Sequence, residues 1–592
     1  MEALILAAGY GNRMRPLTDH THKTLLQVGG RTIIGRILDG LSDNGVTDVC
    51  VVTGYRANEL EAHLREHFPR FTFRFVRNER YRETNNIYSM ALAFEQMQLE
   101  SDLLLIESDL VYEPAVIRRA IDSPYANVAL VAPYRSGLDG TVVTISDSIV
   151  TAVIPTHLQA GDFRFAGKFK TLNIYKFSKD FCRTTFKKLL TYYARVIDDN
   201  CYYELILGIL AYVQQASVHA EVIERERWAE VDDPNDLRIA EYVFTPDARR
   251  ESLETTMGGY WAVDVLDFCF IRNMYFPNAS MLSELRNNLP TLLGNYGSTQ
   301  VHLNQKLAYF LLCDVQRVNV LNGASQVYPL FTSQFAGQRA LIPAPTFGEY
   351  PRTFPDHDAY ADQVGIAFDE IERKAVAASV IVFVNPNNPT GTTIHTRRIH
   401  EFARSHPAKT CIVDESFIEF AGIPSMLETL ESSPLANVIV VKSLSKSLGV
   451  PGLRLGYVYC SDPDVSARYR AAIPIWNLNS VAENFLEIAL KHRNSLAESF
   501  RQTIQDREAF ADSLGRLPGV ARVHPSGADF LLVGIDRPRA ALDTIVTRLL
   551  EERSIFVKDV SSKLTDGKSY LRFAVRLPTE NRALCEALAD YL

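Results

Sequence analysis

Short apolar runs alternate with amphipathic stretches along the first 240 residues. Runs at 3–8, 48–55, 71–78 and 102–109 have the length of strands, and stretches at 32–41, 58–68 and 87–97 have the apolar spacing of helices. This alternation predicts a mixed, mostly parallel sheet covered by helices on both faces, which makes a three-layer α/β sandwich. Ligands of such sheets bind at the carboxyl ends of the strands.

The same pattern restarts at about residue 260. The periodicity fades over 243–258, which we predict to be a linker. Beyond it, apolar runs at 318–321, 379–384, 410–413, 438–441 and 453–459 predict the strands of a second α/β domain. We therefore predict one domain at 1–242 and another at 259–592, in which residues from about 485 onwards and the N-terminal segment form a small subdomain.

Length and composition limit the kind of protein. A chain of 592 residues is too long for one hydrophobic core. The net charge of -8 without a block of Lys and Arg argues against a nucleic-acid partner, and no apolar run reaches the ~18–20 residues of a membrane span. The eight cysteines form no C-x-x-C pair and no basic leader precedes the first apolar run, so we expect a cytoplasmic protein.

The first predicted strand runs into the string LAAGYGNRMRPLT at 6–18, and Lys23 follows. Glycines let backbone N–H groups approach a phosphate, and Arg13 and Lys23 can neutralise a polyphosphate. A lone G-x-G is more often an ordinary turn, and the third glycine of a dinucleotide-binding loop is missing here.

The whole string resembles the opening of the sugar-phosphate and choline-phosphate nucleotidyltransferases, L-A-A-G-x-G-x-R-x-x-P-L-T followed by P-K. His22 stands where those enzymes usually have the proline. The resemblance implies catalytic roles for Arg13, Lys23 and Asp109. It also implies that the nucleotide is bound by Leu6, Ala8, Gly9, Gly11, Arg13 and Lys23.

Three carboxylates are candidate metal ligands. Asp109 closes the predicted strand at 102–109, where an aspartate can also simply cap the next turn. Glu230 and Asp232 are two residues apart, so they face the same way on an extended segment. Because Mg²⁺ favours carboxylates together with substrate phosphates, we predict Asp109 and Asp232 as its ligands, with Glu230 as second choice.

Two further strings narrow the resemblance to the choline-phosphate cytidylyltransferase branch. They are NNIYS at 85–89, which contains Tyr88 and Ser89, and WAEVDDPND at 228–236. That branch implies CTP and a small amine-bearing phosphoryl acceptor, whose oxygen attacks the α-phosphorus while pyrophosphate leaves. Candidates for contacting the acceptor are Tyr88, Ser89, Arg135, Lys168 and Lys170, and surface charge remains the simpler interpretation for at least one of the last three.

In the second half, four predicted strands end in residues that could bind a cofactor or react with it. Small residues at 322–326 open a helix, as either an anion site or a plain cap, and the other strands end near Asn388, Asp414 and Lys446. Considered alone, Lys446 is most simply interpreted as a solvated lysine in a turn. Together these groups supply what pyridoxal 5′-phosphate (PLP) requires, namely a phosphate cradle, a carboxylate for the ring nitrogen and an amine for the aldehyde.

The strings NPNNPTG, VDESF and SLSKSLGVPGLRLGY resemble the class I/II aminotransferases of the aspartate aminotransferase fold (PLP fold type I), nearest to histidinol-phosphate aminotransferases and threonine-phosphate decarboxylases. The resemblance makes Lys446 the lysine that anchors the cofactor and Asp414 the partner of its ring nitrogen. The other cofactor contacts that it implies are Asn388, Phe347, Ala324, Ser325, Ser443 and Arg454.

The resemblance also implies an oligomer and a substrate site. Tyr296 matches the tyrosine that reaches the neighbouring subunit's cofactor, so a homodimer through the aminotransferase domain is expected. Arg572 matches the arginine that binds the substrate carboxylate, and Arg576 is expected on the same strand and face. Phe417 stands where many relatives have a tyrosine donor to the cofactor, so that donor is absent.

Over nearly its full length the chain resembles fused 2-aminoethylphosphonate cytidylyltransferase–aminotransferases of phosphonate biosynthesis. This implies transamination of phosphonoacetaldehyde by an amino-acid donor, followed by transfer of CMP from CTP to 2-aminoethylphosphonate. Transamination cannot make phosphocholine, because its amine is quaternary. Three alternatives stay open: a phosphocholine or phosphoethanolamine cytidylyltransferase joined to a threonine-phosphate-decarboxylase-like enzyme, a metabolite-sensing regulator, and a scaffold with one inactive site.

Overall fold

The computed structural model describes residues 1–135, 137–213, 217–362 and 365–592. They form two compact units, Met1–Asp264 and Val265–Leu592. The stretch 243–258, predicted as a linker, holds the helix Arg249–Thr256 and belongs to the first unit.

The first unit is built on a nine-stranded mixed sheet. Its strands in chain order are β1 (Glu2–Ala7), β2 (Asp48–Thr53), β3 (Thr72–Arg77), β4 (Leu103–Glu107), β5 (Val128–Pro133), β6 (Val142–Ser146), β7 (Ile149–Ile154), β8 (Phe169–Phe177) and β9 (His219–Val222). Their spatial order is β3-β2-β1-β4-β8-β5-β9-β7-β6. The first four strands are mutually parallel, and β8 runs antiparallel to both β4 and β5.

Alternate residues of each strand feed two cores, one on each face of this sheet. In β1, Ala3 and Ile5 belong to one core and Leu4 and Leu6 to the other. The main covering helices are Ile33–Asp43, Ala57–His67, Asn86–Gln96, Pro114–Asp122, Lys187–Tyr192, Glu204–Tyr212 and Pro234–Phe244. A two-stranded ribbon, Leu110–Tyr112 with Trp228–Glu230, brings the late acidic segment beside the end of β4.

The second unit contains a seven-stranded sheet. Its strands are β10 (Val318–Asn322), β11 (Ala340–Ala344), β12 (His357–Ala361), β13 (Val380–Val384), β14 (Thr410–Asp414), β15 (Val438–Ser443) and β16 (Leu455–Cys460). Their order is β10-β16-β15-β14-β13-β11-β12, and β16 is antiparallel to both of its neighbours while β15, β14, β13, β11 and β12 are parallel. Val438 and Val440 pack into one core, and Ile439 and Val441 into the core on the other face.

A smaller antiparallel sheet completes this unit. Its strands are β17 (Val520–Val523), β18 (Phe530–Ile535), β19 (Lys558–Asp559) and β20 (Ser569–Ala574), in the order β17-β18-β20-β19. The helices of the unit are Ala279–Leu293, Gln300–Leu311, Val327–Gln334, Glu349–Thr353, Phe368–Ala375, Thr396–Ser405, Met426–Ser432, Leu444–Ser447, Pro463–Ala472, Ser480–Leu490, Arg493–Gly515, Arg539–Arg553 and Pro578–Tyr591. Over the described residues, no helix combines the length and apolar character needed to cross a bilayer.

The α/β fold predicted for both halves is confirmed. The predicted strands match β1, β2, β3, β4, β10, β13, β14, β15 and β16 to within a few residues at each end. One prediction is wrong: β20 ends at Ala574, so Arg576 does not lie on the same strand as Arg572.

Candidate active sites

The loop after β1 folds back on itself around Gly11. Gly11 has a φ of 62°, in the left-handed region that glycine adopts without strain. The Thr18 hydroxyl donates to the Gly11 carbonyl at 2.9 Å. A Cβ on Gly11 would lie 3.2 Å from Thr18 Cγ2 and 3.3 Å from Lys23 Cβ. The tight loop therefore brings Lys23 close to the end of β1.

Lys23 joins the two predicted metal ligands. Its Nζ lies 2.8 Å from Asp232 Oδ1 and 3.2 Å from Asp109 Oδ2, and Arg13 reaches the other oxygen of Asp232 at 2.7 Å. Burial alone would lower the pKa of Lys23, but Asp109 and Asp232 outweigh burial and raise it. The site thus holds a fixed positive charge between two carboxylates.

His22, to which the sequence interpretation assigned no role, lies beside this site. Its Nδ1 accepts a hydrogen bond from the Thr24 N–H at 3.2 Å, so Nε2 carries the proton and donates to the Ala7 carbonyl at 3.1 Å. Burial lowers the pKa of His22 to about 4, so the ring is neutral at physiological pH. His22 ties the turn carrying Lys23 to the end of β1, a role that the usual proline cannot fill because its ring nitrogen carries no hydrogen.

A cavity of about 310 Å³ collects most of the predicted nucleotide and metal residues. Its walls include, from the predicted set, Leu6, Ala8, Gly9, Gly11, Arg13, Lys23, Ser89, Asp109 and Asp232. Glu230, Tyr88, Lys168 and Arg135 are not among its lining residues. The cavity lies at the carboxyl ends of β1 and β4, where the parallel sheet predicted a ligand.

Glu230 belongs to a buried acidic group, one member of which, Glu107, lines this cavity. The buried Lys170 ammonium lies 3.0 Å from Glu230 Oε2. Burial raises the pKa of Glu230 to about 7, although Lys170 opposes the shift. Nearby, the Asn86 amide donates to Glu107 at 3.0 Å and to Glu204 at 3.4 Å. Burial, followed by the charge of Glu204, raises the pKa of Glu107 well above its usual value.

The remaining predicted acceptor contacts have other partners. Tyr88 accepts a hydrogen bond from Arg195 at 3.2 Å, and its ring lies under the Arg80 guanidinium at 5.2 Å. Ser89 accepts from the Asn78 amide at 3.0 Å. Lys168 lies over the Phe163 ring at 5.8 Å, and Arg135 is exposed.

One oxygen of the two predicted carboxylate ligands, Asp109 and Asp232, is free to bind Mg²⁺. Asp109 Oδ1 is buried and has no hydrogen-bond partner among the described residues, although Oδ2 contacts Lys23. A hard cation is an apt partner for such an oxygen. Within the described part of the chain, no cluster of three or more His, Cys, Asp or Glu side chains has metal-site geometry. A metal here would therefore depend on substrate phosphates for further ligands.

In the second unit, the strand ends bring Asp414 and Lys446 together. β14 ends at Asp414, and neighbouring β15 leads into the short helix Leu444–Ser447, which carries Lys446. Asp414 Oδ2 accepts from the Tyr350 hydroxyl at 2.8 Å, and Oδ1 accepts from the Ser416 hydroxyl at 2.6 Å. Burial raises the pKa of Asp414, and these donors oppose the shift. Ser416 also accepts from the Ser443 N–H at 3.1 Å.

Burial and nearby cations favour the neutral amine of Lys446. Burial lowers the pKa of Lys446, and Arg572 and Arg454 lower it further, while Asp529 and Asp414 oppose them. A neutral amine is the form that reacts with an aldehyde. The residue chemistry therefore fits the anchoring of PLP.

Two glycines open a cradle beside Lys446. A Cβ on Gly323 would lie 2.6 Å from Arg454 Nη2, and one on Gly456 would lie 2.5 Å from the Ala324 nitrogen. Arg454 donates to the Ser325 hydroxyl at 3.1 Å. Ala324, Ser325 and Arg454 thus lie together, at the ends of β10 and β16, where a phosphate would meet backbone N–H groups and a guanidinium.

Arg572 contacts the Asn388 turn. Its Nη1 donates to Asn388 Oδ1 at 3.0 Å, and its Nη2 donates to the Cys269 carbonyl. Its Nε is buried and has no partner among the described residues. Arg576 lies beyond β20, where it pairs with Glu580 at 2.8 Å and donates to the Asp267 carbonyl at 2.7 Å. Arg576 therefore has a structural partner instead of sharing a face with Arg572.

The three aromatic residues expected near the cofactor, namely Tyr296, Phe347 and Phe417, differ in how exposed they are. Tyr296 is 80% exposed and stacks on Trp476 with ring centroids 4.6 Å apart. Phe347 is also exposed, with its ring 6.3 Å from that of Tyr328. Phe417 is buried against Phe530, with ring centroids 5.2 Å apart, in an apolar group that offers no hydroxyl.

Asp529, immediately before β18, is a second residue that the sequence interpretation missed. It is fully buried, and neither carboxylate oxygen has a hydrogen-bond partner among the described residues. An acidic residue between Ala528 and the apolar run 530–533 was the available signal.

Comparisons with known proteins find a matching family model for each half of the chain. Residues 275–588 match the family model described as "Aminotransferase class I and II", and residues 3–167 match "MobA-like NTP transferase domain". The chain is 32% identical over its full length to "CMP-5'-(3-aminopropyl)phosphonate synthase" of Streptomyces rubellomurinus, covering 95% of that protein.

Two further similar proteins each match about half of the chain. "L-serine phosphate decarboxylase" of Sulfurospirillum multivorans is 27% identical, over 55% of this chain and 88% of that protein. The crystal structure of the histidinol-phosphate aminotransferase from Clostridium acetobutylicum has a TM-score of 0.50 and 25% identity, and covers 55% of this chain and 98% of its own.

Proposed function

Because the chain belongs to the class I and II aminotransferase family and carries an NTP transferase domain at 3–167, we propose that it produces a small phosphonate amine and joins CMP to it. The amine is 2-aminoethylphosphonate, made by transamination of phosphonoacetaldehyde with an amino-acid donor. CTP supplies the CMP, and pyrophosphate is released. The full-length relative supports this acceptor class, since its printed name specifies a CMP-linked aminoalkylphosphonate that is one methylene longer.

The observation that carries the nucleotidyl-transfer proposal is the contact of Lys23 with Asp109 and Asp232 inside the cavity. Asp109 and Asp232 are the residues that would hold Mg²⁺, which when bound supplies positive charge at the phosphates of CTP. Lys23 and Arg13 add positive charge that stabilises the negative phosphate oxygens while the acceptor oxygen attacks the α-phosphorus. The glycines of the loop leave backbone N–H groups accessible to the triphosphate.

For the aminotransferase unit, the supporting observation is the neighbourhood of Lys446 and Asp414 beside the Gly323–Gly456 cradle. Lys446 would hold PLP through its amine, with Asp414 at the ring nitrogen and Asn388 at the ring oxygen. Ala324, Ser325, Ser443 and Arg454 would bind its phosphate, and Phe347 would cover the ring. PLP, when bound, withdraws electrons from the amine-bearing carbon. Lys446 Nζ then moves the proton at that carbon.

Arg572 is the anion-binding group of this unit. Its guanidinium is buried and keeps its Nε without a partner among the described residues, so it can bind a carboxylate or phosphonate. Arg576 is already paired with Glu580, so it contributes no second binding charge.

A second candidate is favoured by the relative that is named a serine phosphate decarboxylase. In this version the second unit removes the carboxylate of a phosphorylated or phosphonylated α-amino acid as CO₂. The product is again a small amine with a phosphoryl group, such as phosphoethanolamine from serine phosphate. The first unit then transfers CMP to that amine.

A substrate panel separates these candidates. Pyrophosphate release is measured with CTP, Mg²⁺ and 2-aminoethylphosphonate, 3-aminopropylphosphonate, phosphoethanolamine or phosphocholine. We expect 2-aminoethylphosphonate to give the highest kcat/KM, and a preference for phosphocholine would contradict the proposal. In parallel, 2-oxo acid formation indicates transamination, whereas CO₂ release from the phospho-amino acid indicates decarboxylation. Asp109→Asn and Lys446→Ala variants assign each signal to its own unit.

A further inference from the structure

Glu107 is a carboxylate in the wall of the nucleotide cavity that the function proposed above does not use. It is the last residue of β4 and precedes Asp109 by two residues, and both of them line the cavity. Its Oε1 accepts a hydrogen bond from the Asn86 amide at 3.0 Å, whereas no described residue donates to its Oε2. The cavity wall therefore holds a carboxylate oxygen that is available to a ligand.

Glu107 shares the Asn86 donor with a second carboxylate. The same nitrogen, Asn86 Nδ2, lies 3.4 Å from Glu204 Oε2, and Glu204 is buried. The Tyr203 N–H donates to Asn86 Oδ1 at 2.9 Å, which fixes the amide with its NH₂ group toward the two carboxylates. Because the amide is neutral, it provides hydrogen bonds to the pair without balancing its negative charge.

The nearby lysines are paired with other carboxylates. Lys170 lies 3.0 Å from Glu230, and Lys23 lies between the two predicted metal ligands. Among the residues that the structure describes, no Lys, Arg or His lies within ion-pair distance of Glu107 or Glu204. Buried carboxylates are costly without a cation. A positively charged ligand would offset the burial and the charge of Glu204, which together raise the pKa of Glu107.

Three tyrosines near Glu107 also suit a small cation. Tyr203 has no exposed surface, and its hydroxyl, which lies near Glu107, has no hydrogen-bond partner among the described residues. A buried hydroxyl of this kind indicates a group that the site holds when it is in use. Tyr81 and Tyr202 line the cavity, and the faces of aromatic rings attract cations.

We propose that Glu107 binds the ammonium group of the acceptor that receives CMP, and that Glu204 adds negative charge without touching the acceptor. The inference rests on the proposed transfer of CMP to a small phosphonate amine. Two residues of chain span at most about 7 Å, so an acceptor whose phosphonate lies near Asp109 reaches Glu107 across a linker of few carbons. A carboxylate oxygen accepts from N–H donors, so the site favours a primary ammonium over a quaternary one.

The test compares two acceptors of nearly the same shape. Propylphosphonate carries a methyl group where 2-aminoethylphosphonate carries its ammonium, and pyrophosphate release with CTP and Mg²⁺ gives kcat/KM for each. The wild type should prefer the amine by about 10²-fold, as expected for a buried hydrogen bond between charged groups. Glu107→Gln keeps the shape and removes the charge, so it should reduce this preference by about tenfold or more. Its kcat/KM for propylphosphonate should stay within about threefold of the wild-type value.

Two further variants separate the charge from the fold. Glu204→Gln should reduce the preference by a smaller factor, because its carboxylate acts without contact. Glu66→Gln, which changes an exposed glutamate on the helix Ala57–His67, is the matched control and should keep wild-type values. The KM for CTP should be unchanged in all three variants. If Glu107→Gln does not bind CTP, the wild type and Glu204→Gln decide the question.

Equal losses for both acceptors in Glu107→Gln overturn the ammonium site, as does a wild type that uses propylphosphonate as well as the amine. Absence of CMP transfer to every amine of the substrate panel overturns the proposed function instead. Calorimetric titration with 2-aminoethylphosphonate in the presence of CTP then decides the site separately. Binding that is lost in Glu107→Gln supports the site, and equal binding or no binding to the wild type overturns it.

Discussion

Lys23 provides the sharpest residue-scale test of the first unit. Lys23→Met should lower the rate of CMP transfer by about 10²-fold or more, because a buried charge facing the reacting phosphates is lost. Absorbance of the cofactor in the second unit should stay unchanged. Lys179→Met, which removes a partly exposed lysine paired with Glu100, is the control and should keep full activity. CMP transfer within threefold of wild type in Lys23→Met would contradict the assigned role.

His22 should make the first unit sensitive to acid. The fold holds the ring neutral with a pKa of about 4, whereas an unfolded histidine has a pKa of about 6.5. The unfolded chain therefore binds more protons below pH 6.5, and the fold loses up to about 3 kcal/mol as the pH falls from 6.5 to 4.

Thermal unfolding between pH 4.5 and 7.5 checks this linkage. His22→Asn should melt below the wild type at pH 7.5, because the bonds to Ala7 and Thr24 are weakened. The difference in melting temperature should shrink as the pH falls, because only the wild type loses stability when the unfolded His22 takes up a proton. His20→Asn, which changes an exposed histidine two residues away, should show no such convergence. A constant difference across the range would show that His22 titrates normally.

At the scale of elements, the first residues of β16 test the phosphate cradle. A Cβ on Gly456 would approach the Ala324 nitrogen at 2.5 Å and the Lys442 carbonyl at 2.9 Å, and neither backbone atom can move alone. Gly456→Ala should therefore weaken PLP binding at least tenfold and destabilise the unit by about 1–3 kcal/mol. Gly452→Ala, in the turn just before β16, would place a Cβ with nothing within 4 Å, so this variant should bind PLP normally. Fluorescence titration with PLP measures both, and equal affinities would argue against the cradle.

The elements that the sequence predicted well are those with continuous apolar runs. β13, β14 and β15 are buried on both faces, so their sequences are almost wholly apolar and end abruptly at Asn385, Asp414 and Lys442. The end of β20 is harder to predict from the sequence, because Val575 continues the apolar pattern for one residue after pairing with β18 has stopped. For that reason the sequence pattern predicts Arg576 on the strand, whereas Arg576 lies beyond it and pairs with Glu580.

Contacts between distant segments explain what the sequence could not predict. The motifs around Lys23 and Lys446 are local strings, so the family resemblance that these strings carry was enough to point to the two residues. The role of His22 depends on which segment folds beside it, because its Nε2 meets the carbonyl of Ala7, fifteen residues earlier in the chain. The sequence shows only a polar residue in an apolar setting, and tertiary structure supplies the reason for it.

At the scale of the whole molecule, exposed apolar residues of the second unit predict a homodimer. Tyr296 stacks on Trp476, and the nearby Leu293 and Ile475 are 74% and 70% exposed. The Ser480 hydroxyl donates to the Leu292 carbonyl at 2.6 Å, which holds these two segments side by side. An exposed apolar patch of this kind marks an interaction surface, and a second copy of the chain is its proposed partner.

Light scattering should therefore give a mass near twice 66.5 kDa. Trp476→Glu should shift the protein toward the monomer, because a charge would be buried at the contact. PLP affinity should fall with it, since Tyr296 is proposed to reach the partner's cofactor. Tyr296→Phe keeps the ring, so it should remain dimeric while binding PLP several-fold more weakly through loss of one hydroxyl hydrogen bond. Tyr192→Glu, which changes an exposed tyrosine of the first unit, should alter neither quantity. A wild-type monomer with full PLP affinity would refute both the dimer and the role of Tyr296, because the cofactor site would then be complete within one chain.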